Sequence, residues 1–329
     1  MPVTLGEIAR RCGVSTATVS RILNSKPGFS ASDELRQQVI NTSEMLGYQP
    51  NRFARSLITG KSDIVAFAGG EGMGHQLCGS LLSGIRYALK DSSYSLLIED
   101  YNRMLEFNPD GLIIWNEEDQ LINDIKSIKK KNIKVVGFGD RYIDCDWLDS
   151  YVAIDFRNSV REGIEHLWAN GKRNIACVHY EHCDHWVLRN DHRHLIYNQM
   201  AEELGFEKRC ILIPYLDIRH CARHIFKEMA TIGTLPDALF CFNDETAIGA
   251  LTGLIDAGIN VPEQVSVLGF DGIEDTEYTV VPISTIALPT EEGCKASVKL
   301  LTDIIENNTS NQRIVLQSEL IKRQSSSLN

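Results

Sequence analysis

From residue 63 onward the chain alternates short, continuous apolar runs with helix-like stretches, and this rhythm restricts the fold more than any other feature. The runs are IVAFA (64–68), SLLI (95–98), GLIIW (111–115), KVVGF (134–138), VAI (152–154), NIACV (174–178), CILI (210–213), ALFCF (238–242), VSVLGF (265–270) and STIAL (284–288). Strands that are apolar on both faces and joined by helical crossovers belong to parallel sheets covered on both sides. Ten such runs exceed a typical doubly wound sheet, so the pattern predicts an α/β domain with two lobes, each built on its own sheet. One intervening helix is predicted over Ser159–Asn170, opening on a Ser159-x-x-Glu162 capping box.

The first 46 residues follow a different period. Thr4-Leu-Gly-Glu7 is a capping-box pattern in which Thr4 and Glu7 satisfy each other's end amides. Leu5, Ile8, Ala9 and Cys12 then form one apolar face, and Gly13 ends the helix. Ser15 can cap a second helix to about Leu23, with Val19, Ile22 and Leu23 inward. The joint Gly13-Val14 is short enough for a helix-turn-helix. Leu35, Val39, Thr42 and Leu46 stripe a third helix that closes a small core. Gly47 to Pro50 breaks it, and 50–57 is too short to be a stable helix alone in water.

Composition sharpens this division. With 43% apolar and 23% charged residues, the chain is of ordinary globular type. Its net charge of -11 hides an asymmetry. Residues 1–60 hold seven Arg and Lys against four Asp and Glu, a basic head on an acidic body, which confines any nucleic-acid contact to the head. No apolar run reaches membrane-spanning length, and MPVTLGEIARR lacks the apolar core of a secretory leader, so a cytoplasmic protein is expected. The nine cysteines include no CxxC pair and read as small buried thiols in a reducing compartment.

These residues carry a family resemblance. Thr4-Leu5, Ile8-Ala9, Gly13-Val14-Ser15, Thr18-Val19-Ser20-Arg21 and Leu23-Asn24 match, nearly position for position, the DNA-binding signature of the lactose/galactose-repressor family. Leu46-Gly47-Tyr48-x-Pro50-Asn51 and Ala54-Arg55-Ser56-Leu57 resemble its hinge. Asp110-Gly111, Val152-x-x-Asp155, Glu165-His166-Leu167, Asn243-Asp244-x-x-Ala247-x-Gly249 and Gly269-Phe270-Asp271 resemble its ligand domain. The resemblance implies a helix-turn-helix domain over 1–47, a hinge helix and linker over 48–61, and a periplasmic-binding-protein-like effector and dimerisation domain over 62–329. Lobe one is expected at about 62–157 and 289–312, lobe two at about 158–288 and 313–323. Residues 99–109 are short for the family, so a first-lobe helix is missing or reduced, and the loop 25–33 is about two residues long for it. Both traits resemble the branch that governs a cryptic second β-galactosidase operon, which implies a galactoside effector.

The resemblance also assigns roles. Thr16, Ala17 and Arg21 become base readers, with Arg21 able to fork onto guanine. Thr4, Ser15, Thr18, Ser20 and Asn24 are cast beside them, Thr4, Ser15, Thr18 and Asn24 as phosphate contacts. Helix capping fits the serines and threonines equally. In the hinge, Asn51, Arg52, Arg55 and Leu57 are placed at the minor groove, Leu57 as a wedge between base steps; a plain flexible linker is the other reading. Two heads on two half-sites imply a homodimer on a pseudo-palindromic operator. No leucine-heptad tail follows residue 321, which favours a dimer over a tetramer.

For the effector, Arg193 in Arg193-x-x-x-Tyr197 matches the family's ligand arginine, and Asp155, Asn243 and Asp271 fall beyond the carboxyl ends of strands, where ligands of parallel sheets bind. Arg forks and carboxylates suit the vicinal hydroxyls of a sugar. A buried Asp271 needs a partner, and Arg193 is the natural one. Asp155 and Asn243 fit as helix caps too, and Asp271 with Arg193 as a purely structural pair. Glu71, His75 and Gln76 follow a strand and are expected to line the cleft, with Tyr215, Leu216 and Trp186 on its apolar wall. Ile196 and Leu288 replace a frequent Gly and Gln of the family, which bears on effector identity. The resemblance implies a repressor of a carbohydrate-utilisation operon that a small sugar inducer releases from its operator; the alternative is a regulator whose binding a non-sugar metabolite tightens as a corepressor.

Two other chemistries compete. Glycines 69, 70, 72 and 74 with Glu99-Asp100 imitate a dinucleotide fingerprint, but the third required glycine is His75. His179, His182, Cys183, His185, His192 and His194 crowd one region, and His220 and His224 are one helical turn apart, a metal-ligand chemistry. A loop at the cleft mouth accounts for the crowding without a metal. No nucleophile–base set is positioned by a motif, so neither catalysis nor a cofactor is expected.

Overall fold

The computed structural model describes residues 3–23, 29–49, 56, 60–69, 76–99, 101–115, 128, 132–140, 148, 150–180, 191–214, 216–307, 309 and 312–327. They fall into two units, divided between Ser62 and Asp63.

The first unit is three helices, α1 (Leu5–Cys12), α2 (Thr16–Leu23) and α3 (Asp33–Met45), closed on Ile8, Ala9, Cys12, Val19, Ile22 and Val39. Local chemistry sets each boundary. Glu7 N donates to Thr4 Oγ1 at 3.4 Å. The return half of the expected capping box is not made, because the Glu7 carboxylate lies 3.0 Å from Arg10 and 3.6 Å from Arg11, charges it meets on its own helix. Gly13 leaves α1 at φ 67°, a conformation costly for other residues. Thr18 N donates to Ser15 Oγ (3.1 Å), so Ser15 caps α2, and Leu35 N donates to Ser32 Oγ (3.2 Å), so Ser32 caps α3.

The second unit holds two six-stranded sheets. Along the chain run β1 (Ile64–Gly69), α4 (Gln76–Ala88), β2 (Ser95–Ile98), α5 (Tyr101–Met104), β3 (Gly111–Trp115), β4 (Lys134–Gly139), β5 (Tyr151–Asp155) and α6 (Arg157–Ala169). Then follow β6 (Ile175–Tyr180), α7 (His192–Leu204), β7 (Arg209–Ile213), α8 (Ile218–Ile232), β8 (Ala238–Cys241), α9 (Asp244–Asp256), β9 (Ser266–Asp271), β10 (Ser284–Ala287), α10 (Thr290–Asn307), β11 (Arg313–Gln317) and β12 (Glu319–Ile321). The first sheet has the order β11-β5-β4-β3-β1-β2 and is parallel throughout. The second is β12-β10-β9-β8-β6-β7, parallel except where β12 runs against β10. All ten sequence-predicted strands are present. α5 is a single turn followed by a 3-10 turn at Leu105–Phe107, so the helix expected to be short is reduced to that.

Each sheet is packed on both faces. Phe138, Ile113, Leu81 and Leu301 fill one face of the first sheet, and Ala66, Leu112, Ile114 and Met104 the other. In the second, Phe240, Tyr197 and Phe270 lie on one side, Phe226, Leu239 and Leu254 on the other. Burying one such side chain is worth about 1.5–3 kcal/mol. α8 rides directly on α9: a Cβ on Gly249 would stand 2.4 Å from Arg219 O, and one on Gly253 2.3 Å from Arg223 O.

Two boundaries differ from expectation. α6 starts at Arg157, not at Ser159. Arg157 N donates to Asp155 Oδ1 (3.0 Å), so Asp155 serves the helix end, while Ser159 is buried and its hydroxyl donates to Phe156 O at 3.1 Å. Residues 313–317 pair with β5 in the first sheet, rather than joining the second lobe. The crossing back lies one residue later, at Ser318, whose N–H donates to Asp155 O (3.1 Å). The lobes are thus joined by chain crossings at Asp155–Arg157, between β10 and α10, and at Ser318.

Candidate functional site

On the first unit, the surface of α2 carries the polar groups singled out by sequence. Val19 and Ile22 are buried; Ser15, Thr16, Ala17 and Arg21 are exposed, and Thr18 and Ser20 are half-buried. The Ser15 and Thr18 hydroxyls lie 2.9 Å apart, so both take part in capping as well as standing at the helix start. Thr4 is exposed at the start of α1. The Arg21 guanidinium stacks over the Phe29 ring at 5.4 Å from its centroid, and Phe29 also packs against the core of the unit. An α-helix fits the major groove, and its exposed first turn and an arginine one turn on are what reach base edges there. Asn24, Asn51, Arg52, Arg55 and Leu57 lie outside the described residues.

On the second unit, strand ends and helix starts converge between the lobes. Arg193, in the first turn of α7, is gripped by Asp191, two residues before it. Asp191 Oδ1 accepts from Arg193 N (2.8 Å) and Nε (3.0 Å), and Oδ2 from NH2 (2.7 Å). NH1 donates to Phe242 O. The guanidinium lies between two rings, 5.2 Å from the Phe242 centroid and 4.9 Å from that of Phe270. His179 at the end of β6 completes the set. Tyr180 N donates to His179 Nδ1 (2.6 Å), so the ring proton sits on Nε2, which faces Asp191 Oδ2 at 3.4 Å. Burial opposes ionisation of Asp191, but the Arg193 charge and the His179 hydrogen bond outweigh it and hold the carboxyl far below the usual range.

This corrects the expected pairing. Arg193 does not bind Asp271; its hydrogen-bonded carboxylate is Asp191, reached within a single turn of chain, and Asp271 acts on it only through space. Asp271 ends β9 with φ 112°, a strained conformation for a residue with a side chain, which its surroundings must hold. They do so through Asp244. That carboxylate is fully buried and accepts from Gly272 N (2.8 Å), Ile273 N (2.9 Å) and Thr285 Oγ1 (2.7 Å), fixing the turn that follows Asp271. Burial raises Asp244 to about 7 against these hydrogen bonds. Burial and the neighbouring Asp244 raise Asp271 well above its usual value, against the pull of Arg193.

The remaining polar residues divide by role. Asn243 caps α9, its Oδ1 accepting from Thr246 N at 2.8 Å. Asp155 binds Arg157 through Nε (2.9 Å) and NH2 (2.8 Å), and this hydrogen bonding lowers its pKa. Gln76 opens α4 in the first lobe; its N–H donates to Glu245 Oε1 of the second lobe (3.3 Å), and its buried Oε1 has no hydrogen-bond partner among the described residues. Glu245 is also bound by Arg219, which reaches Asp275 at 2.7 Å. His192 faces Asp140 of the first lobe at 3.9 Å. Glu71, His75, Trp186 and Tyr215 lie outside the described residues, and Leu216 is exposed. Ile196 packs into the second core, and Leu288 touches the cores of both lobes.

Sequence reasoning passed over Asp191, had His179 only as a candidate metal ligand, and had Asp244 only as part of a family motif. One signal was available: the tripeptide Asp-x-Arg occurs three times where a helix begins, and at Asp155–Arg157 and Asp191–Arg193 the two side chains pair, whereas Arg219 of Asp217–Arg219 turns to Glu245 and Asp275 instead. Among the described residues no group of three His, Cys, Asp or Glu is arranged to hold a metal ion; His220 and His224 are exposed on α8, and His182, Cys183 and His185 lie outside the described residues. The described cysteines are not uniformly buried: Cys210 is exposed and Cys221 half-buried, on an edge strand and a surface helix. No described helix is long and apolar enough to cross a membrane.

Comparison with known proteins bears on both units. Residues 4–51 match the family of bacterial regulatory proteins, lacI family, and residues 164–326 match the periplasmic binding protein-like domain. The chain belongs to the lacI family. This lacI-family chain is 28% identical to the HTH-type transcriptional repressor MelR of Bacillus subtilis (strain 168), over 98% of its own length and 97% of MelR. Its fold resembles the lac repressor dimer bound to operator and the anti-inducer ONPF, with a TM-score of 0.83 at 21% identity over 100% of both chains. It also resembles the complex of the transcriptional regulator CelR with cellobiose, with a TM-score of 0.67 at 23% identity over 98% of this chain and 99% of that one. It is a DNA-binding transcriptional regulator, not an enzyme.

Proposed function

We propose that this lacI-family regulator represses a carbohydrate-utilisation operon in the cytoplasm. It holds a pseudo-palindromic operator as a homodimer and releases it when a galactoside-type sugar enters the cleft. The observation that carries the effector half is the placement of Arg193 over Phe242 and Phe270, with Asp271 in its field; the unpartnered, buried Gln76 Oε1 stands at the first-lobe helix start whose N–H reaches Glu245 of the second lobe. Guanidinium N–H groups suit the ring hydroxyls of a pyranose, and an unanswered acceptor suits a ligand hydroxyl. The fold neighbour CelR holds cellobiose, another sugar. On the first unit, Thr16, Ala17 and Arg21 are proposed to read bases, and Thr4, Ser15, Thr18, Ser20 and Asn24 to line the duplex beside them. Asn51, Arg52, Arg55 and Leu57 are proposed for the minor groove. Effector contact with both lobes would shift them about their three crossings, and a coupling of about 1–3 kcal/mol suffices for a switch.

The test is selection of duplexes from a random inverted-repeat pool, followed by titration of the selected duplex with and without neutral galactosides. Expected is a salt-sensitive preference for one palindrome that weakens when sugar is added. Absence of any preferred palindrome overturns the DNA reading. Tightening by a non-sugar metabolite, with no response to any sugar, overturns the inducer reading.

A further inference from the structure

We infer that Asp191 sets the effector class of the cleft: it neutralises Arg193 in advance and so selects uncharged, hydroxyl-rich ligands over ligands bearing a carboxylate. The inference rests on the proposed role of Arg193 in the cleft. An arginine that meets an acidic ligand does so as an available cation with a planar fork. Here one edge of the guanidinium, Nε and NH2, is taken by both Asp191 oxygens at 3.0 and 2.7 Å, and NH1 also serves Phe242 O. N–H groups remain for hydroxyl oxygens, but the charge is matched. Among the described residues the neighbours do not restore it. Arg157 is bound by Asp155, and His192 faces Asp140. An incoming carboxylate would meet acidic groups from both lobes.

A capping role alone does not account for Asp191. Capping α7 needs a single oxygen, and Oδ1 does this by accepting from Arg193 N at 2.8 Å. Oδ2 is held on NH2 and beside His179 Nε2 instead. Asparagine and serine also cap helices, so Asp191→Asn and Asp191→Ser keep the cap and remove the charge.

The experiment is calorimetric titration of the full-length wild type, Asp191→Asn, Asp191→Ser and Arg193→Ala with matched probes: galactose and galacturonate, glucose and glucuronate, methyl galactoside and lactose. Expected is that the wild type favours neutral sugars, and that the two Asp191 variants shift the uronate-to-hexose ratio by about tenfold or more toward the uronate, corresponding to at least about 1.4 kcal/mol. Combining either with Arg193→Ala should abolish the shift. A wild type that binds uronates as tightly as hexoses, or a ratio unmoved in both Asp191 variants, overturns the assignment. If hexose binding is lost in Arg193→Ala while the ratio stays fixed in the Asp191 variants, the sugar reading stands and only Asp191 falls. If no probe binds any of the proteins, the sugar reading fails and takes this inference with it.

Discussion

Arg21 of the first unit and Arg193 of the second are both arginines stacked on phenylalanine, yet they are prepared for opposite tasks. Arg21 is exposed over Phe29, and among the described residues no carboxylate comes within ion-pair distance of it. Arg193 is stacked on two rings and bound by a carboxylate two residues away. A cation left with its charge suits a phosphate-lined groove and the acceptor edge of guanine. A cation already matched suits an uncharged ligand. The aromatic partner orients the guanidinium in both; the neighbouring carboxylate decides what it can attract.

The largest expected effect comes from breaking the matched pair. Arg193→Ala leaves Asp191 with 8% side-chain exposure and no cation beside it, so the second unit should lose about 3 kcal/mol of stability and its response to sugar. The same substitution at Arg157, whose pair with Asp155 is far more open (48% and 13% exposure), should cost at most about 1 kcal/mol. Thermal or urea unfolding of the two variants measures the contrast, and equal losses would show that burial does not distinguish these two paired Asp-x-Arg turns. Next in size is Arg21→Ala. It should lower discrimination at one base pair of the selected duplex by about 1–3 kcal/mol and leave the unfolding of the second unit unchanged. A uniform loss across all duplexes would make Arg21 a phosphate contact.

The acidic pair at the end of β9 gives a pH test of comparable or smaller size. Asp244 is raised to about 7, so the folded chain keeps a proton there that the unfolded chain, near 3.8, has released. Stability of the second unit should therefore fall as pH rises from about 5 to 7, by up to about 2 kcal/mol. Asp244→Asn can still accept from Gly272 N and Ile273 N, and it should flatten that slope. An unchanged slope in the variant would assign the proton elsewhere.

What could be read beforehand followed from whether the cause was local. Caps at Thr4, Ser15 and Gly13 are decided within a few residues, and the head followed its sequence closely. The ten apolar runs are likewise local signals: most of these strands are buried on both faces, and the edge strands β2 and β7 keep an apolar run although they are only partly buried. β11 and β12 escaped notice although β11 carries the short run Ile314-Val315-Leu316: β11 lies at a sheet edge and alternates exposed and half-buried residues, and β12 is three residues long. The Ser159 box matched a real pattern, but the tertiary burial of Ser159 gave its hydroxyl other partners. The Arg193–Asp271 pairing erred in the other direction. It sought a distant partner for a buried charge when one stood two residues away in the chain. The cleft was legible as a set of strand ends, and its charge balance was not, because that balance depends on which oxygen each arginine reaches.

The smallest effect tests the aromatic half of the comparison. Phe29 packs against the core of its unit and also carries Arg21, so removing it altogether would confound packing with stacking. Phe29→Leu keeps an apolar side chain in the core and removes the π face, while Phe29→Tyr keeps both. A cation–π contact at an exposed site is worth about 0.5–1 kcal/mol. Phe29→Leu should therefore weaken discrimination about two- to fivefold, at the same base pair that Arg21→Ala affects, and Phe29→Tyr should restore it. If Phe29→Leu instead weakens every duplex equally, the ring serves only packing. The two arginines would then share a residue type and not a method of orientation.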